Sequence, residues 1–222
     1  TYHCSNIILQ EGSKITSKYC NNRWCLVCNR IRTAKIINGY KPEIDKFQEP
    51  QFTTLTRPNV KARDLRQELD YLNKCFRDIT KSLKKTHKIQ LQALRKIECT
   101  YNAKDNTYHP HIHTITEGKD TANLFLSYWL KKNPTSSRKA QDIRQADDTS
   151  LVELCKYFTK VITKDNDYNP KAQDKIFQSM KNKRTFQPIG IKKYVSEDIE
   201  EIQAQTIDFK PPQDEIWSYD RE

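Results

Sequence analysis

The sequence predicts an α+β domain in which antiparallel strands are covered by helices. Two patterns lead to this prediction. Short β-branched runs bounded by turn residues alternate along the chain with longer runs whose apolar residues recur every three or four positions. Near the middle, two strand-like segments are separated by the polar stretch 102–107, which is typical of an antiparallel hairpin. The 222 residues suffice for one large domain with a small appendage.

Local patterns predict the individual strands and helices. Residues 52–56 are β-branched, alternate and lie between proline-containing turns, so they predict a strand. In residues 62–85, apolar side chains follow a 4-3-4-3-4 spacing, which predicts one amphipathic helix. Residues 91–101 and 108–115 are the two strands of the hairpin. The remaining predicted elements are a helix at 120–131, a strand at 139–146 and a helix after the capping candidates at 147–150.

The charge distribution favours a polyanionic partner. The chain carries 39 basic and 28 acidic side chains, a formal net charge of +11. Residues 196–222 hold nine acidic and two basic side chains, so residues 1–195 carry 37 basic against 19 acidic ones, or +18. Nucleic acid is the simplest polyanion for such an excess, and a basic surface kept for solubility is the alternative. With no apolar run of membrane-spanning length and no secretory signal, we expect a cytoplasmic protein.

Four of the seven cysteines cluster at the N-terminus. Cys25 and Cys28 form a C-x2-C knuckle, with Cys20 five residues before it and Cys4 further away. Four thiolates can bind zinc tetrahedrally and close a segment too small to have its own core. His3 is an alternative to Cys4 as the fourth ligand. A disulfide pair or a redox C-x-x-C is the alternative to zinc, but the lack of a secretory signal favours zinc.

Three of the five histidines fall within five consecutive residues, 109–113, of the second hairpin strand. On a strand, alternate side chains share a face, so His111 and His113 can form a pair of ligands for a divalent metal. If the turn is centred between Asp105 and Asn106, Glu98 lies opposite His113 and projects beside both imidazoles. Two histidines and a carboxylate form a credible three-ligand site with open positions. The alternatives are half-exposed strand histidines and a surface glutamate paired with a lysine.

The helix after residue 150 carries the second set of candidate residues. Its polar side includes Glu153, Lys156, Tyr157 and Lys160, and the glutamate and the tyrosine are one helical turn apart. A tyrosine that lies off the apolar stripe and among lysines is a candidate nucleophile, because the lysine charges favour its phenolate. Half-buried packing of the ring is the alternative.

The order of these motifs resembles that of the HUH endonucleases. A strand at 52–56, the string YHPHIH at 108–113 and Glu-x-x-Lys-Tyr-x-x-Lys on a later helix are similar to the three motifs of this family. The resemblance is closest to the rolling-circle replication initiators of small bacterial plasmids. A cysteine cluster before the first motif also fits that branch of the family. The resemblance spans about residues 4–195. It implies an antiparallel sheet of about five strands with packed helices, the HUH endonuclease fold, plus an N-terminal zinc-binding segment.

The resemblance implies an enzyme that nicks and rejoins single-stranded DNA at a replication origin. A bound Mg²⁺ or Mn²⁺ would polarise the scissile phosphate, and a tyrosine would attack it, leaving a 3′-hydroxyl and a 5′-phosphotyrosyl link. A carboxylate would later activate water, and a host helicase would be a further partner. The matching positions are the metal ligands His111, His113 and Glu98, the nucleophile Tyr157, the water-activating Glu153, and Lys156 and Lys160 at the phosphate.

The expected organisation has three segments. Residues 1–45 would form the zinc-binding segment, residues 46–195 the HUH endonuclease domain, and residues 196–222 an acidic C-terminal tail. A single-strand transposase or a relaxase would use the same site chemistry. A non-catalytic zinc-containing nucleic-acid-binding protein is the alternative outside the enzyme class, and it leaves the histidine pair and Tyr157 without a role.

Overall fold

The computed structural model describes residues 4–22, 25–155 and 169–194 of the chain. The described residues divide into two compact units, an N-terminal one that extends to Pro42 and a larger one from Glu43 to Lys192. The segment boundaries expected after residues 45 and 195 stay predictions, and the acidic tail lies outside the described residues. No membrane-spanning candidate occurs among the helices of these ranges.

The N-terminal unit contains a hairpin and a helix. Strands β1 (Ile8–Glu11) and β2 (Lys14–Ser17) pair antiparallel, and Gly12 takes a positive φ of 60° in the turn between them. Helix α1 (Leu26–Ile44) follows and contains Pro42. The sequence patterns did not predict these three elements. The hairpin strands are only four residues long, and the four residues that α1 buries include Asn29 and Gly39, so they do not form an apolar stripe.

The larger unit confirms the predicted α+β class. It contains one five-stranded antiparallel sheet with the strand order β6-β3-β5-β4-β7, so the histidine strand β5 is central. The elements are β3 (Gln51–Thr56), α2 (Leu65–His87), β4 (Ala93–Asn102), β5 (Thr107–Thr116), α3 (Lys119–Lys132), β6 (Asp142–Gln145), α4 (Ser150–Cys155), α5 (Pro170–Met180) and β7 (Phe186–Ile189).

Helices α2 and α4 pack on opposite faces of this sheet. The Arg95 guanidinium of β4 lies over the Phe76 ring of α2, whereas the charge of the adjacent Lys96 acts on Cys155 of α4. Successive strand side chains point to opposite faces, so the two helices are on different sides. The side chains that the 4-3-4-3-4 spacing of α2 selects are all buried, as an amphipathic helix requires.

Strand β7 and helix α5 were not predicted. Strand β7 has four residues and includes Pro188, which has no N–H to donate to a sheet ladder. Proline is tolerated because β7 is an edge strand that, within the described part of the chain, pairs with β4 alone. A short strand of this composition has little local signal, and its place depends on pairing with residues about 90 positions earlier.

The predicted register of the β4–β5 hairpin was wrong by two residues. Glu98 lies opposite His111, not opposite His113. The turn is centred one residue earlier than assumed, because the Asn102 side-chain oxygen accepts a hydrogen bond from the Asp105 backbone N–H at 3.3 Å. Asn106 then takes a positive φ of 48° before β5 begins. Strand side chains alternate with a period of two, so a shift of two leaves Glu98 on the predicted face.

Candidate metal centres

Glu98, His111 and His113 converge on one face of the two central strands. The Glu98 Oε2 atom lies 3.8 Å from the Nε2 atom of each histidine. One ligand atom from each of the three residues can be chosen so that all lie within 4.8 Å of one another. At 3.8 Å these contacts are longer than hydrogen bonds, so the three atoms face a common point without bonding to each other. A single cation can bind to all three atoms in this arrangement.

Hydrogen bonds at the other ring nitrogens orient both imidazoles. The His111 Nδ1 atom lies 3.0 Å from the His109 carbonyl oxygen, which can only accept. Nδ1 therefore carries the proton, and Nε2 presents its lone pair toward Glu98. The His113 Nδ1 atom lies 3.0 Å from the hydroxyl of Thr54 on β3. Such partners fix ring orientation and are typical of histidines that ligate metals.

Lys96 is a buried cation beside the three ligands that the sequence analysis did not single out. Its side chain is 0% exposed, and its Nζ lies 2.6 Å from Glu98 Oε1. The lysine therefore binds one carboxylate oxygen while the other faces the histidines. The available signal was the i, i+2 spacing of Lys96 and Glu98, which puts both on one face of a strand.

His109 lies on the same face, two residues before His111 in β5. Its ring stacks on that of His111 with centroids 5.3 Å apart, and its Nδ1 donates to Asn59 Oδ1 at 2.8 Å. Burial lowers the pKa of His109, and the neighbouring His111 lowers it further. A neutral His109 avoids placing a positive charge next to the three ligands.

Of the four candidate residues on the helix after residue 150, Glu153 is the one that lies within the described residues. It lies on α4, and its Oε2 pairs with Arg144 Nη2 of β6 at 2.6 Å. The Arg144 guanidinium lies over the Phe52 ring, and that ring contacts His113 with centroids 5.5 Å apart. Glu153 is thus connected to the metal face through two side chains. Lys156, Tyr157 and Lys160 lie outside the described residues.

In the N-terminal unit, the four predicted cysteines come together. Cys4 precedes β1, Cys20 follows β2, and Cys25 and Cys28 lie at the start of α1. The Cys28 sulfur is 3.4 Å from that of Cys4 and 3.7 Å from that of Cys20, and all four sulfurs lie within 4.8 Å of one another. Sulfur ligands around tetrahedral zinc are about 3.8 Å apart, given Zn–S bonds of ~2.3 Å.

The local electrostatics favour one thiolate at this cluster, that of Cys25. A hydrogen bond from the Cys28 backbone N–H lowers the pKa of Cys25 to about 7. The Cys20 N–H lowers the pKa of Cys4, but burial and hydrogen bonds with the other three sulfurs raise it to about 12. One thiolate is therefore stabilised by the helix start, and further deprotonation calls for a cation. All seven cysteines are free, and His3 lies outside the described residues.

The donor sets of the two clusters fit different metals. Four sulfurs at tetrahedral spacing fit zinc, which prefers soft thiolate ligands. Two imidazoles and one carboxylate leave coordination positions open, as a divalent cation that must also contact a substrate requires. Both clusters are therefore suitable metal sites by their chemistry.

Comparisons with known proteins find similarity to replication proteins. Residues 13–117 match the family described as "Replication protein". The chain is 28% identical over 178 residues to "Protein rep" of Staphylococcus aureus, covering 72% of this chain and 76% of the relative. It is 31% identical over 103 residues to "Protein rep" of Streptococcus pneumoniae (44% and 32%) and 30% identical over 141 residues to that of Bacillus amyloliquefaciens (61% and 40%). No solved structure gives a significant match.

These matches confirm the resemblance to the replication initiators of rolling-circle plasmids. The matched range 13–117 includes three of the clustered cysteines and all of Glu98, His111 and His113. It ends before Glu153. The chain spans about a third of the Streptococcus relative and two fifths of the Bacillus relative.

Proposed function

We propose that this chain, which resembles the rolling-circle replication initiators, nicks and rejoins single-stranded DNA at a plasmid replication origin. The observation that carries the proposal is the convergence of Glu98, His111 and His113 on the central strands of the sheet. The site shares its face of the sheet with α4, the helix that immediately precedes Tyr157 in the sequence. The net charge of +11 supports a nucleic-acid substrate.

Tyr157 is the proposed nucleophile. Its phenolic proton leaves to solvent, and the phenolate oxygen forms a bond to the scissile phosphorus while the P–O3′ bond breaks. The departing oxygen takes up a proton and becomes a free 3′-hydroxyl, from which replication can be primed. The 5′-phosphotyrosyl link keeps a phosphodiester bond in place, so that the strand can be rejoined without an external energy source. Lys156 and Lys160 would stabilise the phosphate charge.

The described residues have supporting roles in this reaction. Mg²⁺ or Mn²⁺ bound by Glu98, His111 and His113 would supply Lewis-acid polarisation of the phosphate. Thr54 and the His109 carbonyl hold the imidazoles in the ligating orientation.

Glu153 is the proposed general base that activates water to end the reaction by hydrolysis. In the structure its carboxylate pairs with Arg144. This pair is the contact that a purely structural glutamate would make, so the two roles must be separated by experiment.

The cysteine cluster is proposed to bind a structural zinc. A tetrahedral site with four protein sulfurs leaves no open position, which is typical of structural rather than catalytic zinc. Its ligands would be Cys4, Cys20, Cys25 and Cys28, and the segment 1–45 would present basic residues to DNA phosphates.

The decisive experiment detects a covalent adduct. Labelled single-stranded origin DNA and Mn²⁺ are incubated with the protein, and a labelled band at the protein's mass after denaturation reports the phosphotyrosyl link. We expect Tyr157→Phe and His111→Ala to lose nicking and adduct together, while Tyr128→Phe, a matched change on α3, retains both. An adduct in Tyr157→Phe would refute the nucleophile assignment. Absence of an adduct in the wild-type protein would favour a non-catalytic DNA-binding protein.

A time course separates the two roles of Glu153. As a general base, Glu153→Gln should form the adduct at the wild-type rate and release it more slowly. Arg144→Met serves as the control, because it breaks the same ion pair and leaves the carboxylate in place. If both variants release the adduct at the wild-type rate, Glu153 only pairs with Arg144, and the water-activating role is wrong.

A further inference from the structure

A cationic pocket lies on the face of the sheet opposite the histidines. It has a volume of about 460 Å³ and is formed by α2, β4 and β7 with the segment before β7. Four of its residues are basic, namely Arg77, Lys81, Arg95 and Arg184, and none of the described residues that line it is acidic. The volume falls within the range of about 300–1,000 Å³ that is usual for small-ligand sites.

Arg95 forms the floor of the pocket and is only 2% exposed. Its Nη2 donates to Asn73 Oδ1 at 2.7 Å and to the Arg184 carbonyl at 3.3 Å. Its Nε is buried and has no hydrogen-bond partner among the described residues. A buried donor without a partner on a charged group is costly, and native proteins rarely keep one without a ligand or a function.

The charges around Arg95 increase this cost. Burial, together with the positive charges of Arg184 and Arg77, lowers the pKa of Arg95 to about 10. The guanidinium still carries its charge at neutral pH. Buried charges are normally paired with an opposite charge, but the neighbours that act on Arg95 are cations. The contact with the Phe76 ring, 5.0 Å from the guanidinium carbon, compensates part of this cost.

We propose that this pocket binds a phosphate group, with Arg95 at its floor and Arg77, Lys81 and Arg184 at its rim. Guanidinium groups recognise phosphate by paired N–H donors, and the Nε of Arg95 is a donor that no described residue uses. The three rim cations are exposed and sit on two different elements, so they surround the opening. The phosphate can come from a free anion or nucleotide, or from a nucleic-acid backbone. The site is independent of the proposed nicking reaction because it lies on the other face of the sheet.

Calorimetric titration with inorganic phosphate tests the proposal. The titration is made at constant ionic strength in chloride buffer, without added divalent metal. We expect the rim variant Arg77→Gln/Arg184→Gln to bind phosphate at least tenfold more weakly than the wild type. The control Lys84→Gln/Lys85→Gln removes the same charge from exposed positions of α2 outside the pocket and should bind as the wild type does.

Two further variants separate this site from folding and from the metal centre. Arg95→Met keeps an aliphatic side chain against Phe76 and should lose phosphate binding even if it is less stable. The variant His111→Ala/His113→Ala should bind phosphate normally, since its substitutions are on the opposite face. No phosphate binding by the wild type, or equal binding by the rim variant and its control, would overturn the proposal and leave Arg95 a structural residue.

A short single-stranded oligonucleotide distinguishes the two sources of phosphate. If it displaces inorganic phosphate from the wild type, the pocket takes a nucleic-acid backbone. The rim variant should then also show a shallower dependence of oligonucleotide affinity on salt, because two cations no longer release counterions. If the oligonucleotide does not compete, the pocket takes a free phosphate or a nucleotide.

Discussion

Removal of the Lys96 charge tests how the buried Lys96–Glu98 pair affects stability and metal affinity at the candidate metal site. Lys96 is 0% exposed and pairs with Glu98, whose side chain is 12% exposed. Breaking a buried pair from one side costs about 3–5 kcal/mol, because it leaves the other charge without a partner. Glu98 keeps some contact with solvent, so we expect Lys96→Met to lower the free energy of unfolding by about 3 kcal/mol in metal-free protein.

The same substitution should strengthen metal binding. Lys96 repels a cation bound at the other oxygen of Glu98, so its removal should tighten Mn²⁺ binding about tenfold, or ~1.4 kcal/mol. At the same saturating Mn²⁺ concentration, tenfold tighter binding stabilises the variant by ~1.4 kcal/mol more than the wild type, so Mn²⁺ should recover about half of the lost stability. Chemical denaturation with and without Mn²⁺, together with a Mn²⁺ titration, measures both effects.

A matched control and a double variant complete this test. Lys183→Met also removes a buried lysine that pairs with a carboxylate, that of Asp70, but away from the three ligands. It should leave Mn²⁺ affinity unchanged. Lys96→Met/Glu98→Met should be more stable than Lys96→Met alone, because no unpaired charge remains. Equal metal affinity in Lys96→Met and the wild type would refute the argument that the Lys96 charge repels the bound cation.

Three further predictions concern other parts of the molecule. Thr54→Val should weaken Mn²⁺ binding by about 10-fold or more through loss of the His113 hydrogen bond. The control Thr53→Val, on the opposite face of the strand, should leave Mn²⁺ binding unchanged. Equal Mn²⁺ affinities in the two variants would show that Thr54 does not orient His113. Elemental analysis should find about one zinc per chain, lost in Cys28→Ser, and a zinc-free wild type would contradict the tetrahedral site. Gly190→Ala should lower stability by about 1–2 kcal/mol in denaturation, because φ is 66° and a Cβ would clash with the Leu91 carbonyl; unchanged stability would contradict this.

Side-chain periodicity allowed the sequence to predict most of the larger unit. The apolar spacing of residues 62–85 corresponds to α2 at Leu65–His87, and the four predicted strands correspond to β3, β4, β5 and β6. Glu98 was predicted on the face of the two histidines and lies there in spite of the two-residue register error. The side of the sheet to which a strand side chain points depends on whether its position is odd or even, so an even shift in register leaves that side unchanged.

Elements with little local signal escaped prediction. Strand β7 is a four-residue edge strand with a proline, and the hairpin of β1 and β2 is equally short. Such strands gain their stability from partners distant in sequence rather than from their own residues. The hairpin register was also decided beyond the strand pattern, since one side-chain hydrogen bond to the backbone in the turn fixed it.

The pairing of charges was decided by the tertiary structure alone. The sequence shows that Lys96 and Glu98 are two positions apart, but only packing beneath α4 buries the lysine and gives the pair its energetic weight. Arg144 reaches Glu153 because β6 pairs with β3 at the sheet edge. Arg95 differs from the many exposed arginines of this basic chain because α2 covers it and its Nε has no partner in the described ranges. A residue type fixes a charge, whereas burial and neighbours, which come from distant parts of the chain, determine the energy of that charge.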